Sequence, residues 1–190
     1  VWILDRGEQL ATALPVSVRA ALLARFESQI FMEDVELAEA SVALLSVQGP
    51  RARETVERAG VESARVYGCD ELGRGGVLVS TTPEAAARSL AELVRAAESV
   101  GGGAVDESGF ELARLRSGRP RFGVDFSDRN YPQEAGLKDL AVSFSKGCYL
   151  GQEVVCTLEH RGRLKSYLVR FLSAREPRAS VTTAGSPAFT

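Results

Sequence analysis

A chain of 190 residues, 45% hydrophobic and 25% charged with a formal net charge of −2, can form one well-cored domain, or one domain plus a small satellite. It lacks the basic excess of a general nucleic-acid binder, so no strong nucleic-acid binding is expected, and with no apolar run of about 18 residues no membrane span is expected. Three cysteines, Cys69, Cys148 and Cys156, argue against a disulfide framework and fit a reducing, cytoplasmic location, and the single histidine, His160, rules out a multi-histidine metal site.

In chain order, Val1–Leu4 and Gln9–Leu14 read as two strands around the turn "DRGE". In "PVSVRAALLARFESQIF", Val18, Leu22, Phe26 and Ile30 recur every four residues, which predicts an amphipathic helix with Ser17 as cap candidate. "VELAEASVALLSVQG" is rich in Val and Leu and reads as a strand or strand pair. Pro50 opens a short charged helix ended by Gly60. "SARVYGCDELGRGGVLVST" reads as a hairpin. Its "GRGG" lacks the Lys-Ser/Thr ending of a phosphate loop and precedes a strand, so it is read as a turn.

Thr82-Pro83-Glu84 opens the next helix with Thr82 as cap, an apolar face of Ala86, Leu90, Leu93, Val94 and Ala97, and an end at "GGG". A further helix around "SGFELARLRSG" stops at Gly118, ahead of Pro120. "VSF", residues 142–144, reads as a short strand, and "GQEVVCTLE" as a short helix starting at Gly151 and Gln152. From Tyr167 onward "YLVRFLSAR" and "ASVTTAGSPAFT" look like strands of a separate small β unit. Hairpins mixed with helices make the class α+β, with antiparallel or mixed sheets covered by helices. "VWIL" reads as a strand already under way and "VTTAGSPAFT" closes no element, so the sequence is expected to be a fragment or the ordered residues only of a longer chain.

The chemistry concentrates at residues 146–153, "KGCYLGQE". Cys148 precedes a helix start, whose free N–H groups favour an anion, and Lys146 adds positive charge two residues away. Such surroundings favour the thiolate. Gly147 and Gly151 permit sharp turns and leave room for a ligand. The alternative is a small buried Cys148 between turn glycines. Cys156 reads as structural, on the inner face of the helix, and Cys69 has no adjacent cation. The spacing of Cys148, Cys156 and His160 matches no standard zinc pattern, and an iron–sulfur site within one chain usually takes four ligands. A cysteine–histidine hydrolase lacks an orienting third residue.

"KGCYLGQE" resembles the K-G-C-Y-x-G-Q-E signature of the YgfZ family, folate-binding proteins related to the glycine-cleavage T-protein, GcvT. "SGRPRFGVD", "PQEAGL" and "VSFSKGCY" follow the family's order; residues 114–171 resemble it closely and residues 1–60 more loosely. The resemblance implies a GcvT-like folate-binding domain over residues 1–165, without its N-terminal segment, and a partial C-terminal β-barrel over 166–190. It implies tetrahydrofolate, or a one-carbon derivative, as cofactor. Iron–sulfur client proteins, including enzymes that modify tRNA, would be the partners.

On the same resemblance Cys148 is the functional cysteine, and Lys146, Gly147, Tyr149, Gly151, Gln152 and Glu153 complete the signature loop. Glu134 would contact the pterin, since a carboxylate accepts paired N–H groups, and Arg161 would hold the folate's glutamate. Without the resemblance Glu134 reads as a turn carboxylate and Arg161 as a surface ion-pair residue. Cys156-Thr157 stand where the family usually has Ala-Arg, and Arg116 where it has Glu or Ala. A second function on the same fold is an aminomethyltransferase that passes a one-carbon unit to tetrahydrofolate. A third is a folate-binding module without turnover.

Overall fold

The computed structural model describes residues 1–61, 64–160 and 162–170. Contacts divide the chain into two compact units, Val1–Ser117 and Gly118–Thr190.

The first unit begins with the expected hairpin. β1 (Trp2–Asp5) pairs antiparallel with β2 (Leu10–Ala13), with Asp5 opposite Leu10. Asp5 Oδ1 accepts the Gly7 N–H at 2.8 Å, and Gly7 takes φ +88°, so the turn uses both its acid and its glycine. α1 (Val16–Glu27) follows. Its cap position is Pro15, with φ −61° and no side-chain cap bond, so Ser17 lies inside the helix and is not its cap. Proline's fixed φ sets the start of the helix two residues earlier than a Ser17 cap would. None of the α1 residues is buried: Val18, Leu22 and Leu23 are half-buried and Phe26 is exposed.

Of the predicted strand or strand pair, only β3 (Ala43–Gln48) forms; residues 35–42 are irregular. α2 (Ala52–Ala59) ends as expected at Gly60, in the left-handed region at φ +58°. β4 (Arg65–Gly68) and β5 (Gly76–Thr81) form the predicted hairpin, with the first three residues of "GRGG" in its turn, and the sheet order is β3-β5-β4, all antiparallel. β5 is therefore central, and successive side chains point to opposite faces. Val77 and Val79 pack with Ala52 and Val56 of α2 and with Leu93 of α3 (Ala86–Ser99). Leu78, between them, joins Leu4 and Cys69 in a second cluster with Ala11 and Ala13 of the first hairpin.

A Cβ at Gly76 would collide with the Gln48 side chain and the Cys69 carbonyl, so a glycine is required there. That Gln48 amide binds the neighbouring strand: Nε2 donates to Cys69 O at 2.9 Å and Oε1 accepts the Glu71 N–H at 3.0 Å. Thr82 caps the turn that leads into α3, its Oγ1 accepting the Ala85 N–H at 3.3 Å, while Ala85 occupies the cap position of the helix itself. Leu93 is buried as expected, but Leu90 is half exposed, and Ser89 and Ala96 complete the buried face. α4 (Glu107–Ser117) ends at the predicted place, and Asp106 Oδ1 accepts the Gly109 N–H at its start.

Among the described residues of the second unit the regular elements are two helices, α5 (Lys138–Ala141) and α6 (Gln152–His160), with the signature loop between them. The predicted strand at residues 142–144 is absent: these residues run irregularly from the end of α5. Among the described residues of this unit there is no strand to accept its ladder bonds, and a lone strand leaves its backbone groups unpaired. Tyr167–Arg170 carry no strand either, and the remainder of the expected barrel, residues 171–190, lies outside the described residues. The architecture is thus mixed α and β with small antiparallel sheets. Among the described residues no helix is long and apolar enough to cross a membrane.

Candidate functional site

The second unit brings together most of the residues that the sequence singles out. α6 starts where predicted, and Gly151 just ahead of it adopts φ +86°, a conformation that L side chains rarely take. Gln152 closes the loop in both directions. Its N–H donates to Tyr149 O at 3.1 Å, and its Oε1 accepts the Tyr149 N–H at 3.3 Å. Glu153 lies in the exposed first turn of α6, where a negative charge suits the positive end of the helix dipole. Signature glycine and glutamine therefore shape the loop.

Cys148 is exposed at this loop, four positions ahead of the first residue of α6. The buried alternative is set aside for it. The lysine expected to serve the thiol is engaged elsewhere: Lys146 Nζ sits 4.5 Å from the centroid of the Tyr149 ring, a cation–π contact. The other two cysteines differ from Cys148. Cys69 is fully buried, and burial together with Glu71 and Asp70 pushes its thiol up to about 12, which keeps it protonated and unreactive. Cys156 is half-buried, and the inward residue of α6 is its neighbour Val155. Among the described residues no three potential metal ligands come together.

Glu134 lies in the turn at residues 132–136. Its Oε2 accepts the Tyr131 N–H and its Oε1 accepts the Ser166 hydroxyl, each at 3.1 Å, while its carbonyl accepts the Leu168 N–H at 2.8 Å. It is thus a turn carboxylate in this structure. It is only half-buried, and a carboxylate has about four acceptor positions, so capacity for a further pair of N–H donors remains. Arg161 lies outside the described residues.

The sequence reading missed the residues that fasten α6. Gln133, beside Glu134, donates from Nε2 to Val155 O at 2.8 Å, and Lys138 of α5 pairs with Glu159 of α6. That pairing, first through its hydrogen bond, holds the Lys138 ammonium above its usual range. Beside the loop lies a half-open pocket of about 110 Å³, lined by Pro132, Val142, Ser143, Lys146, Tyr149 and Val155 among others. Among the described residues of this unit two buried polar atoms have no hydrogen-bond partner, Gln133 Oε1 and the Tyr149 hydroxyl.

No family model matches the chain. Individual proteins do. A stretch of 79 residues, 41% of this chain, is 35% identical to the tRNA-modifying protein YgfZ of Vibrio vulnificus, and covers 24% of it. The resemblance is to the YgfZ family. YgfZ of Aliivibrio fischeri is 34% identical over 77 residues (39% of this chain, 24% of that protein), and YgfZ of Hamiltonella defensa is 46% identical over 55 residues (28% and 16%). The chain spans about a quarter of the length of the curated YgfZ proteins it matches most extensively. The YgfZ-like octet thus stands in the structure as an exposed cysteine, a lysine–tyrosine stack and a glycine–glutamine latch onto α6.

Proposed function

We propose that this chain is the folate-binding, cysteine-bearing part of a YgfZ-type accessory protein. It would support assembly or repair of iron–sulfur enzymes, including tRNA-modifying ones. The observation that carries the reading is the YgfZ-type octet presented as an exposed loop: Cys148 is open to partners while Gly151, Gln152 and Tyr149 hold its backbone. The similarity to proteins named as tRNA-modifying supports the tRNA part.

Tetrahydrofolate is proposed as the cofactor, with Glu134 as its pterin contact and Arg161 as partner of its glutamate. The carboxylate of Glu134 has the acceptor capacity for this. The cavity of about 110 Å³ is smaller than the roughly 300–1,000 Å³ of drug-sized ligand pockets, so a whole folate does not fit inside it. Bound folate would supply a one-carbon carrier. This chain's own residues would orient it through Glu134 and present Cys148.

Two measurements test the proposal. Calorimetry with tetrahydrofolate should give saturable binding that Glu134→Gln weakens; absence of binding to the full-length protein would remove the folate claim. In cells lacking the native protein, full-length protein with Cys148→Ala should fail to restore iron–sulfur enzyme activity, and full restoration would remove the claim for the cysteine. Formation of methylenetetrahydrofolate from an aminomethylated lipoyl carrier would instead favour the aminomethyltransferase reading.

A further inference from the structure

The net charge of −2 is an average over two unlike halves. The first unit carries twelve Lys and Arg against eighteen Asp and Glu, and the second eleven against seven. In the second unit the basic residues gather after α6: from His160 to Arg175 the sequence holds five of them and no acid. Arg163, Lys165 and Tyr167 of this stretch are exposed, Tyr167 at 66%, while Leu164 and Leu168 are half-buried. The stretch is also fastened. The Leu168 N–H donates to Glu134 O at 2.8 Å, and the Ser166 hydroxyl donates to Glu134 Oε1 at 3.1 Å. The other oxygen of that carboxylate accepts the Tyr131 N–H. Arg163 and Lys165 have no ion-pair partner among the described residues.

We propose that Arg163, Lys165 and Tyr167 form a contact strip for single-stranded nucleic acid. The two cations take backbone phosphates, and a base stacks on the Tyr167 ring. Unpaired cations beside an open aromatic ring match a ligand that offers repeated anionic groups and flat rings together. A lipid surface would be met by apolar side chains, and the strip keeps its leucines half-buried. Because Glu134 pins the strip at Ser166 and Leu168, its cations stand on a fixed base, which lowers the ordering cost of binding. The chain as a whole stays acidic, so the contact is local and weak, and it reads phosphate and ring rather than base sequence. It depends on neither folate nor Cys148.

The test is fluorescence anisotropy of labelled uridine and thymidine dodecamers titrated with the full chain. Saturable binding of both is expected, with a dissociation constant of about 10⁻⁴–10⁻⁶ M. Two phosphate contacts on a single strand should make affinity fall about sevenfold from roughly 50 to 200 mM salt. Arg163→Gln and Lys165→Gln should each flatten the slope of log affinity against log salt by about 0.7. Arg88→Gln, which removes an exposed cation of the acidic first unit, should leave that slope unaltered. Tyr167→Ala should weaken binding about fivefold or more, and Tyr167→Phe should retain it, because stacking needs only the ring. Polyglutamate, which offers the charge without the rings, should compete poorly. Absence of saturable binding, a slope unaltered by both glutamine substitutions, or Tyr167→Ala binding as the parent does would overturn the proposal. So would tighter binding to vesicles of equal parts phosphatidylcholine and phosphatidylserine, which would assign the strip to a membrane, or full competition by polyglutamate, which would assign it to an acidic protein.

Discussion

Gly147 and Gly151 flank Cys148 in the same octet, and substituting each by alanine should give unequal results. At both positions an added Cβ meets nothing within 4 Å, so neither change causes a collision. They differ in backbone: Gly151 stands at φ +86°, whereas Gly147 is outside the positive-φ range. An L residue held in that region costs about 1–2 kcal/mol. Alanine also restricts the unfolded chain, which returns about 0.4–1 kcal/mol wherever the native backbone suits it. Gly147→Ala should therefore be neutral or slightly stabilising. Gly151→Ala should cost about 1 kcal/mol net, a fivefold change in the opening equilibrium of the loop and α6. Hydrogen exchange followed by mass spectrometry on peptides covering 145–160 reads this directly, with about fivefold faster exchange in Gly151→Ala and no acceleration in Gly147→Ala. Equal effects of the two substitutions, or unaltered exchange in Gly151→Ala, would refute the assignment of the latch to backbone conformation.

Three further outcomes follow from the burial of Cys69 and Val79. With a thiol reagent at pH 8, Cys148 should be modified first and Cys69 only on unfolding; equal native rates would contradict its burial. The folded-state value of Cys69, about 12 against an ordinary 9.0, also fixes a sign. Between those pH values the unfolded chain releases the proton and the folded one retains it, so the stability that Cys69 confers, complete below pH 9, falls as pH rises through this window. Cys69→Ala should flatten that part of the pH–stability curve. Val79→Ala, at a fully buried position, removes two methyl groups' worth of burial and should lower stability by about 2 kcal/mol in urea denaturation followed by circular dichroism. A loss below about 0.5 kcal/mol would mean that Val79 does not anchor the sheet to α2 and α3.

The first unit was legible in the sequence wherever local chemistry and tertiary packing agree. "DRGE" and "GRGG" mark turns by glycine, Gly60 marks a helix end, and Val77–Val79 carry a strand signal that the central place of β5 satisfies. Misreadings fell where one of the two was missing. Residues 142–144 include Val and Phe but have no partner strand among the described residues of their unit, and residues 35–42 have Val and Leu but no ladder. Ser17 is a good cap by type, yet Pro15 dictates the start of α1 through its own φ.

At the site, Cys148 and the helix start after it could be read from spacing. The direction of Lys146 could not: Cys148 and Tyr149 lie two and three residues away, and only the fold decides that the ammonium goes to the ring. The tethers from Gln133 and Lys138 to α6 span 22 and 21 positions along the chain, Gln133 to Val155 and Lys138 to Glu159, and no local pattern announces them.

The central place of β5 bears on how this chain can change over generations. Val77 and Val79 serve one apolar cluster and Leu78 the other, so a one-residue insertion within β5 would exchange their faces and empty both clusters together. α1, with none of its residues buried in its unit, is under no such two-sided constraint. Insertions and deletions among descendants of this sequence should therefore gather around α1 and the irregular stretch that follows it, and be excluded from the six positions of β5.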